Sequence, residues 1–157
     1  MPVSLDTEKA LPNEKLLALF SAVGWTTEEG AAEHAQHFNI PFCGSSYVVS
    51  AWDGDTLVGC VRALSDGAVR SVLYDLAVLP GYQGQGIGSA ILMRCMQNNP
   101  NTEWIAETTQ NRVGFYEKHG FILTAVGRIV YSCAAPVRCS DKDETKNNRR
   151  MTPYDGF

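Results

Sequence analysis

The chain has no long apolar run. None of its hydrophobic stretches approaches the roughly 20 residues that cross a bilayer, so no membrane-spanning helix is expected. The N-terminus lacks the basic-then-apolar layout of a secretory leader, which points to a cytoplasmic protein. Cysteine is sparse and unpatterned. Cys43, Cys60, Cys95, Cys133 and Cys139 are odd in number and contain no C-x-x-C pair. Neither a disulfide framework nor a metal site is expected, and free thiols in a reducing compartment fit better. Positive charge is also short, with 13 Lys and Arg against 17 Asp and Glu, a net charge of −4. That balance disfavours nucleic acid and mildly suits a cationic amine.

What remains is an ordinary globular composition, 45% hydrophobic and 19% charged, at a length of 157 residues. That length builds one core, not two. The apolar period is clearest at Leu16, Leu19, Phe20 and Val23, a helix stripe closed by Gly24. Thr26-x-x-Glu29 reads as the capping box of a second helix running to about Phe38 and stopped by Pro41. Tyr47 to Trp52 and Leu57 to Leu64 read as strands joined through Asp53-Gly54-Asp55. After Asp66-Gly67, Val72 to Val78 is apolar on both faces and reads as a central, buried strand. A helix follows with its stripe at Gly88, Ile91, Leu92 and Cys95. Trp104 to Thr108 reads as a strand, Asn111 to Lys118 as a helix ending at Gly120, and 121–126 and 128–133 as two last strands. From Ser140 the composition turns to Asp, Lys, Glu, Asn and Arg, so 1–139 reads as one domain and 140–157 as a polar tail.

The most informative stretch is Gln83-Gly84-Gln85-Gly86-Ile87-Gly88-Ser89, between the central strand and the next helix. Strand, glycine turn and helix together build an anion site. Glycines let the backbone approach a ligand, and the unpaired N–H groups of the first helical turn favour negative charge. The spacing is wrong for a nucleotide triphosphatase, because no Gly-Lys-Ser/Thr closes the turn. It is equally wrong for a dinucleotide fingerprint, whose third glycine is displaced here.

Two motifs in order carry a resemblance. Tyr74-Asp75-Leu76-Ala77-Val78-Leu79-Pro80 leads into Gln83-x-x-Gly86-x-Gly88, and downstream comes Asn111-x-x-x-Phe115-Tyr116-Glu117-Lys118-x-Gly120-Phe121. This set resembles the GNAT superfamily of acyl-CoA N-acyltransferases over about residues 11 to 133. The resemblance implies a mixed α/β (α+β) fold. Its central, mostly antiparallel sheet would have about six to seven strands, flanked by about four helices. It implies acetyl-CoA as co-substrate, with the pyrophosphate on Gln83, Gly84, Gln85, Gly86, Ile87, Gly88 and Ser89. The carbonyl-polarising backbone would be that of Leu76, Ala77 and Val78, and Asn111 would touch the pantetheine arm.

Amine acetylation also needs a group to protonate the leaving thiolate. Tyr116 is the candidate by resemblance, and a core aromatic is the plain alternative. Asp75 is a carboxylate in an apolar strand, where an unpaired charge costs several kcal/mol. It is either a base, an ammonium binder or a structural partner of Arg62 or Arg70. Trp25, Phe38, Phe42 and Tyr47 either wall an acceptor with a hydrophobic body or pack the core. His34, His37 and His119 are weaker candidates. Short stretches around Leu11 to Trp25 and Arg62 to Ala68 are similar to the small arylalkylamine branch of the family. The leading expectation is an N-acetyltransferase acting on a small primary amine by direct attack in a ternary complex. A protein lysine or N-terminal acetyltransferase and a non-catalytic acyl-CoA-binding module are the alternatives. No nucleic-acid or membrane partner is expected, and a homodimer is left open.

Overall fold

A computed structural model describes residues 2–27, 30, 37–124 and 129–131. Among these, the strands are β1 (Ser4–Asp6), β2 (Tyr47–Asp53), β3 (Thr56–Ser65), β4 (Arg70–Val78), β5 (Glu103–Ala106), β6 (Ile122–Leu123) and β7 (Ile129–Tyr131). They form one seven-stranded sheet in the order β1-β2-β3-β4-β5-β7-β6. Every pairing is antiparallel except β4 with β5. The α-helices are α1 (Asn13–Ala22), α2 (Ile40–Cys43), α3 (Ile87–Met96) and α4 (Val113–Glu117), with 3-10 turns at Pro80–Tyr82 and Gln110–Arg112. The mixed, mostly antiparallel sheet flanked by helices matches the expected architecture.

The sheet is buried on both faces. One face carries Val49, Val61, Ala63 and Leu73 against Ile91, Leu92 and Cys95 of α3, with Val113 and Tyr116 of α4 in the same cluster. The other carries Val48, Leu57, Cys60 and Ala77 against Leu16, Leu19 and Phe20 of α1 and Phe42 of α2. The helical stripe read at Leu16, Leu19 and Phe20 is the buried face of α1. Gly59 permits the approach of α3. A Cβ there would stand 2.8 Å from Ile91 Cδ1 and 3.0 Å from the Ala77 carbonyl oxygen.

Several boundaries differ from the sequence reading. β1 is an added edge strand of three residues, too short for a periodic signal. Pro41 does not stop a helix; it sits in the first turn of α2, where its missing N–H costs nothing. The expected second helix falls mostly outside the described residues. Its visible start uses Thr27, whose Oγ1 accepts from the Gly30 N–H at 3.2 Å, in place of Thr26. The expected helix from Asn111 breaks into a 3-10 turn and the five residues of α4. The tail 140–157, Cys133, Cys139 and His34 lie outside the described residues.

Candidate functional site

The site is built where β4 stops behaving as an ordinary strand. β3 and β4 pair Arg62 with Tyr74 and Cys60 with Ala77, so Asp75 and Leu76 together oppose Val61. This is a β-bulge. Asp75 takes up the extra length with φ +50°, the one positive-φ residue other than glycine among the described residues. Left-handed backbone disfavours most side chains, and Asp tolerates it better than most. On its other edge β4 pairs with β5 only from Arg70 to Leu73, although β4 runs on to Val78. Beyond Leu73 β4 has no partner on that edge, because β5 ends at Ala106 opposite it. Leu76, Ala77 and Val78 therefore line a gap in the sheet, with backbone groups on that edge left without a strand partner.

Beyond the gap the chain enters the glycine turn. Gly84 and Gly86 have φ +76° and +84°, and nothing lies within 4 Å of a Cβ at either. Their requirement is backbone conformation, not crowding. Gly86 is the N-cap of α3 and receives no side-chain cap. The first helical bond runs from the Ala90 N–H to the Gly86 carbonyl at 3.0 Å. The N–H groups of Ile87, Gly88 and Ser89 therefore have no acceptor within the helix. The Ile87 side chain is buried in the core, so that residue contributes its backbone. Gln83 and Gln85 turn their amides inward, onto the Val78 and Gly81 carbonyls at 2.9 and 3.0 Å. Both side chains brace the turn, and its inner surface is backbone. These residues fit a pyrophosphate by the chemistry of N–H donors at a helix start.

Asp75 lines an open cavity of about 350 Å3 with Phe20, Trp25, Thr26, His37, Phe38, Pro41 and Phe42. Four of these eight, Trp25, Phe38, Phe42 and Asp75, are the substrate residues expected from sequence. Phe20 is the hub, with ring centroids at 5.5 Å from Trp25, 5.9 Å from Phe38 and 6.1 Å from Phe42. Local chemistry delivers Trp25 to that hub. Gly24, at φ +76°, closes α1 with bonds from its N–H to Ser21 O and from the Trp25 N–H to Phe20 O, at 3.1 and 2.8 Å. This Schellman geometry folds the residue after the glycine back onto the last turn. Phe20, Thr26 and Pro41 read from sequence as structural residues, not as lining of the site. Gly24 after an apolar stripe was the signal for Phe20. Tyr47 packs instead against the α3-side core, and the cavity does without it.

Arg62 holds Asp75. Its Nε donates to Asp75 Oδ2, and the side chains are 17% and 35% exposed. The Arg62 guanidinium also stacks over the Tyr74 ring at 4.8 Å. Arg70 pairs with Glu103 instead, at 3.2 Å. The expectation of a buried carboxylate is corrected: the bulge turns Asp75 toward the cavity mouth, and it is half-exposed there. The ion pair and the cavity position coexist.

Tyr116 lies in the core on the opposite face of the sheet, in one cluster with Ile87 and with the half-buried Leu76 and Val78. Its ring is 7% exposed and packs edge-on to Phe115 and Phe121 at 5.1 and 5.3 Å. The chain fixes it through Gly120, whose φ of +83° lets the Phe121 N–H return to the Tyr116 carbonyl at 3.2 Å. No buried side-chain nitrogen or oxygen lacks a partner among the described residues. The Tyr116 hydroxyl is therefore not an orphaned buried group. Burial raises its pKa above the ordinary phenol value, with Arg112 opposing the shift. The group is a phenol, not a phenolate, at neutral pH.

Asn111 does not open α4. Its Oδ1 accepts from the Thr109 hydroxyl at 2.5 Å within the 3-10 turn, and it is exposed. His37 lines the cavity. His119 turns its Nδ1 to the Phe115 carbonyl at 2.8 Å. Cys60 and Cys95 are buried thiols. Burial, reinforced by the Asp75 charge, pushes Cys60 far up, and burial pushes Cys95 up to about 12. Neither is a nucleophile at neutral pH. Among the described residues no group of three His, Cys, Asp or Glu could hold a metal ion, and no helix is long and apolar enough to cross a membrane.

Comparison with known proteins agrees with this geometry. Residues 44–123 match the family described as acetyltransferase (GNAT) domain. The chain is 27% identical over 127 residues to an uncharacterized N-acetyltransferase, ycf52, of Pyropia yezoensis, covering 76% of this chain and 70% of that one. It is 44% identical over 88 residues to the histone acetyltransferase TAP1 of Glycine max, covering 52% of this chain and 38% of TAP1. The fold superposes on an N-acetyltransferase of Thermoplasma acidophilum, solved in complex with coenzyme A, with a TM-score of 0.60 at 18% identity, covering 83% and 97% of the two chains.

Proposed function

This chain belongs to the GNAT family of acetyltransferases, and we propose that it moves an acetyl group from acetyl-CoA to the primary amine of a small molecule. What supports the choice of acceptor is the cavity at the β4 bulge. It combines one carboxylate, Asp75, with four aromatic rings. A cationic amine on an apolar body meets both requirements of such a wall.

Acetyl-CoA supplies an acetyl group activated as a thioester. The turn 83–89 would hold its pyrophosphate through backbone N–H groups. The edge at Leu76, Ala77 and Val78, unpaired beyond the end of β5, offers fixed backbone dipoles for the carbonyl oxygen, where charge develops in the transition state. Asp75 receives the ammonium form of the amine and fixes its direction of approach. Tyr116 stands on the α3 side of the sheet and Asp75 on the α1 side, so the acid and the amine anchor approach the gap from opposite faces. The amine loses one proton to water in the open cavity before its lone pair attacks. As the C–N bond forms and the C–S bond breaks, Tyr116 gives its phenolic proton to the leaving sulfur, and the second amine proton passes through solvent to restore the phenol. The buried, protonated state of Cys60 and Cys95 favours direct attack over an acyl-enzyme.

A second reading has one specific observation behind it, the similarity to the TAP1 histone acetyltransferase. A lysine side chain is also a primary amine, and an open cavity admits one.

Asp75→Asn tests the acceptor assignment. It keeps the size and loses the charge. The expected result is a rise in amine KM of roughly 10- to 100-fold, as for a lost charge-assisted hydrogen bond, with acetyl-CoA affinity and melting temperature nearly unchanged. A wild-type amine KM in this variant would reduce Asp75 to a partner of Arg62.

A further inference from the structure

We propose that Asp53 and Tyr82 are positioning residues for the coenzyme, a brace that ties the tip of the β2–β3 hairpin to the turn 83–89. The inference rests on the reading that this turn holds the pyrophosphate. It adds a specific cause for the turn's shape.

The turn needs such a cause. Gly84 and Gly86 hold left-handed backbone with nothing packed where a side chain would be. Glycine has more conformations to lose than any other residue, so the two glycines themselves add no stiffness to the turn. Its inward glutamines reach only Val78 and Gly81, within the same short segment. Two hydrogen bonds tie the segment just before it to the β2–β3 hairpin. The Leu79 N–H donates to the Val58 carbonyl at 2.8 Å. Val58 is the extra residue of a second bulge, since Ala51 pairs with Gly59 and Trp52 with Leu57. Three residues on, the Tyr82 hydroxyl donates to Asp53 Oδ2 at 2.8 Å. Asp53 is the last residue of β2, with Gly54 turning at φ +56° behind it.

The two anchors bracket the 3-10 turn Pro80–Tyr82 and fix the direction in which the chain enters Gln83. The Tyr82 ring packs against the α3-side core, so the ring is held independently of its hydroxyl. Removing the hydroxyl therefore tests the brace without emptying a core site. The Asp53 bond also raises the Tyr82 pKa, so the donor keeps its proton through the neutral range. A preformed turn lowers the ordering cost of binding, and a turn released from its brace presents the binding conformation only part of the time.

The test measures acetyl-CoA binding by calorimetry and steady-state kinetics on Tyr82→Phe, Asp53→Asn, Asp53→Ala and the double variant Tyr82→Phe/Asp53→Ala. Asp55→Asn, exposed at the same hairpin tip, serves as a charge control. Tyr82→Phe is expected to weaken acetyl-CoA binding by roughly 3- to 30-fold, the range of one hydrogen bond to a charged acceptor shared between turn conformations. Its kcat at saturating acetyl-CoA should stay within about 2-fold of wild type. Asp53→Asn, which still offers an acceptor oxygen, should lose less than Asp53→Ala. The loss in the double variant should fall short of the sum of the two single losses, because the Tyr82–Asp53 bond is common to both. Wild-type affinity in Tyr82→Phe and Asp53→Ala would overturn the brace, and so would additive losses in the double variant. Losses in kcat and melting temperature that parallel the affinity loss would overturn it in favour of general destabilisation. If wild type itself fails to bind acetyl-CoA, the coenzyme assignment fails, a result distinct from a failed brace.

Discussion

Tyr116 is a core side chain for which we propose a second role as the acid. Its ring is buried between Phe115 and Phe121, and its hydroxyl keeps its proton at neutral pH. Tyr116→Phe keeps the packing and removes the proton. It should lower kcat by roughly 10- to 1000-fold, the range for a positioned acid, and leave acetyl-CoA affinity within about 2-fold. The sign of the pH effect follows from burial. A pKa raised above the ordinary phenol value keeps the acid protonated to higher pH. The alkaline limb of kcat in wild type should therefore lie above the ordinary phenol range and vanish in Tyr116→Phe. An unchanged rate where chemistry limits turnover would return Tyr116 to packing alone.

At the same scale, Asp75 was legible as an anomaly and not as a geometry. A carboxylate among Leu73, Tyr74, Leu76 and Ala77 demands a reason, and the sequence offers Arg62 or Arg70 as partners. It does not show the bulge. Two residues opposing Val61 shift the alternation by one and bring Asp75 to the cavity, and no period-2 pattern contains that shift. Arg62 won over Arg70 because antiparallel register sets it opposite Tyr74, while Arg70 lies at the far end of β4 beside Glu103.

Among the elements, the glycine turn was the easiest to read, because the backbone it needs is one that glycine readily supplies. Gly86→Asp would place a side chain on a left-handed N-cap and a negative charge where an anion binds. Loss of acetyl-CoA binding by at least about 30-fold is expected from repulsion plus the backbone cost, read by calorimetry. Binding as tight as wild type would remove the turn from the coenzyme site. The short elements were harder. β1 has only three residues and is selected by pairing with β2, not by local pattern. α4 has five, with Gly114 and β-branched Val113 lowering its helix propensity. Its boundary is set by Thr109 and Asn111 bonding each other in the turn before it. Gly59 carried no local signal at all, since its need arises from a helix that packs onto it.

Across the whole molecule, one sheet separates two tasks. The α3 face holds the glycine turn and Tyr116, and the α1 face holds the aromatic cavity. The stretch of β4 beyond the end of β5 lies between the two. Family and coenzyme chemistry follow from that arrangement and from the matched domain. The acceptor follows only from the cavity wall, and it is the central claim. The most direct test is acetyl-CoA-dependent thiol release by the whole chain, comparing small primary amines of increasing apolar body with lysine-containing histone-tail peptides. The account predicts that kcat/KM rises with the apolar body of the amine, exceeds that of every peptide, and collapses toward a common low value in Asp75→Asn. Higher kcat/KM for the peptides than for any small amine, with Asp75→Asn leaving that order intact, would contradict it.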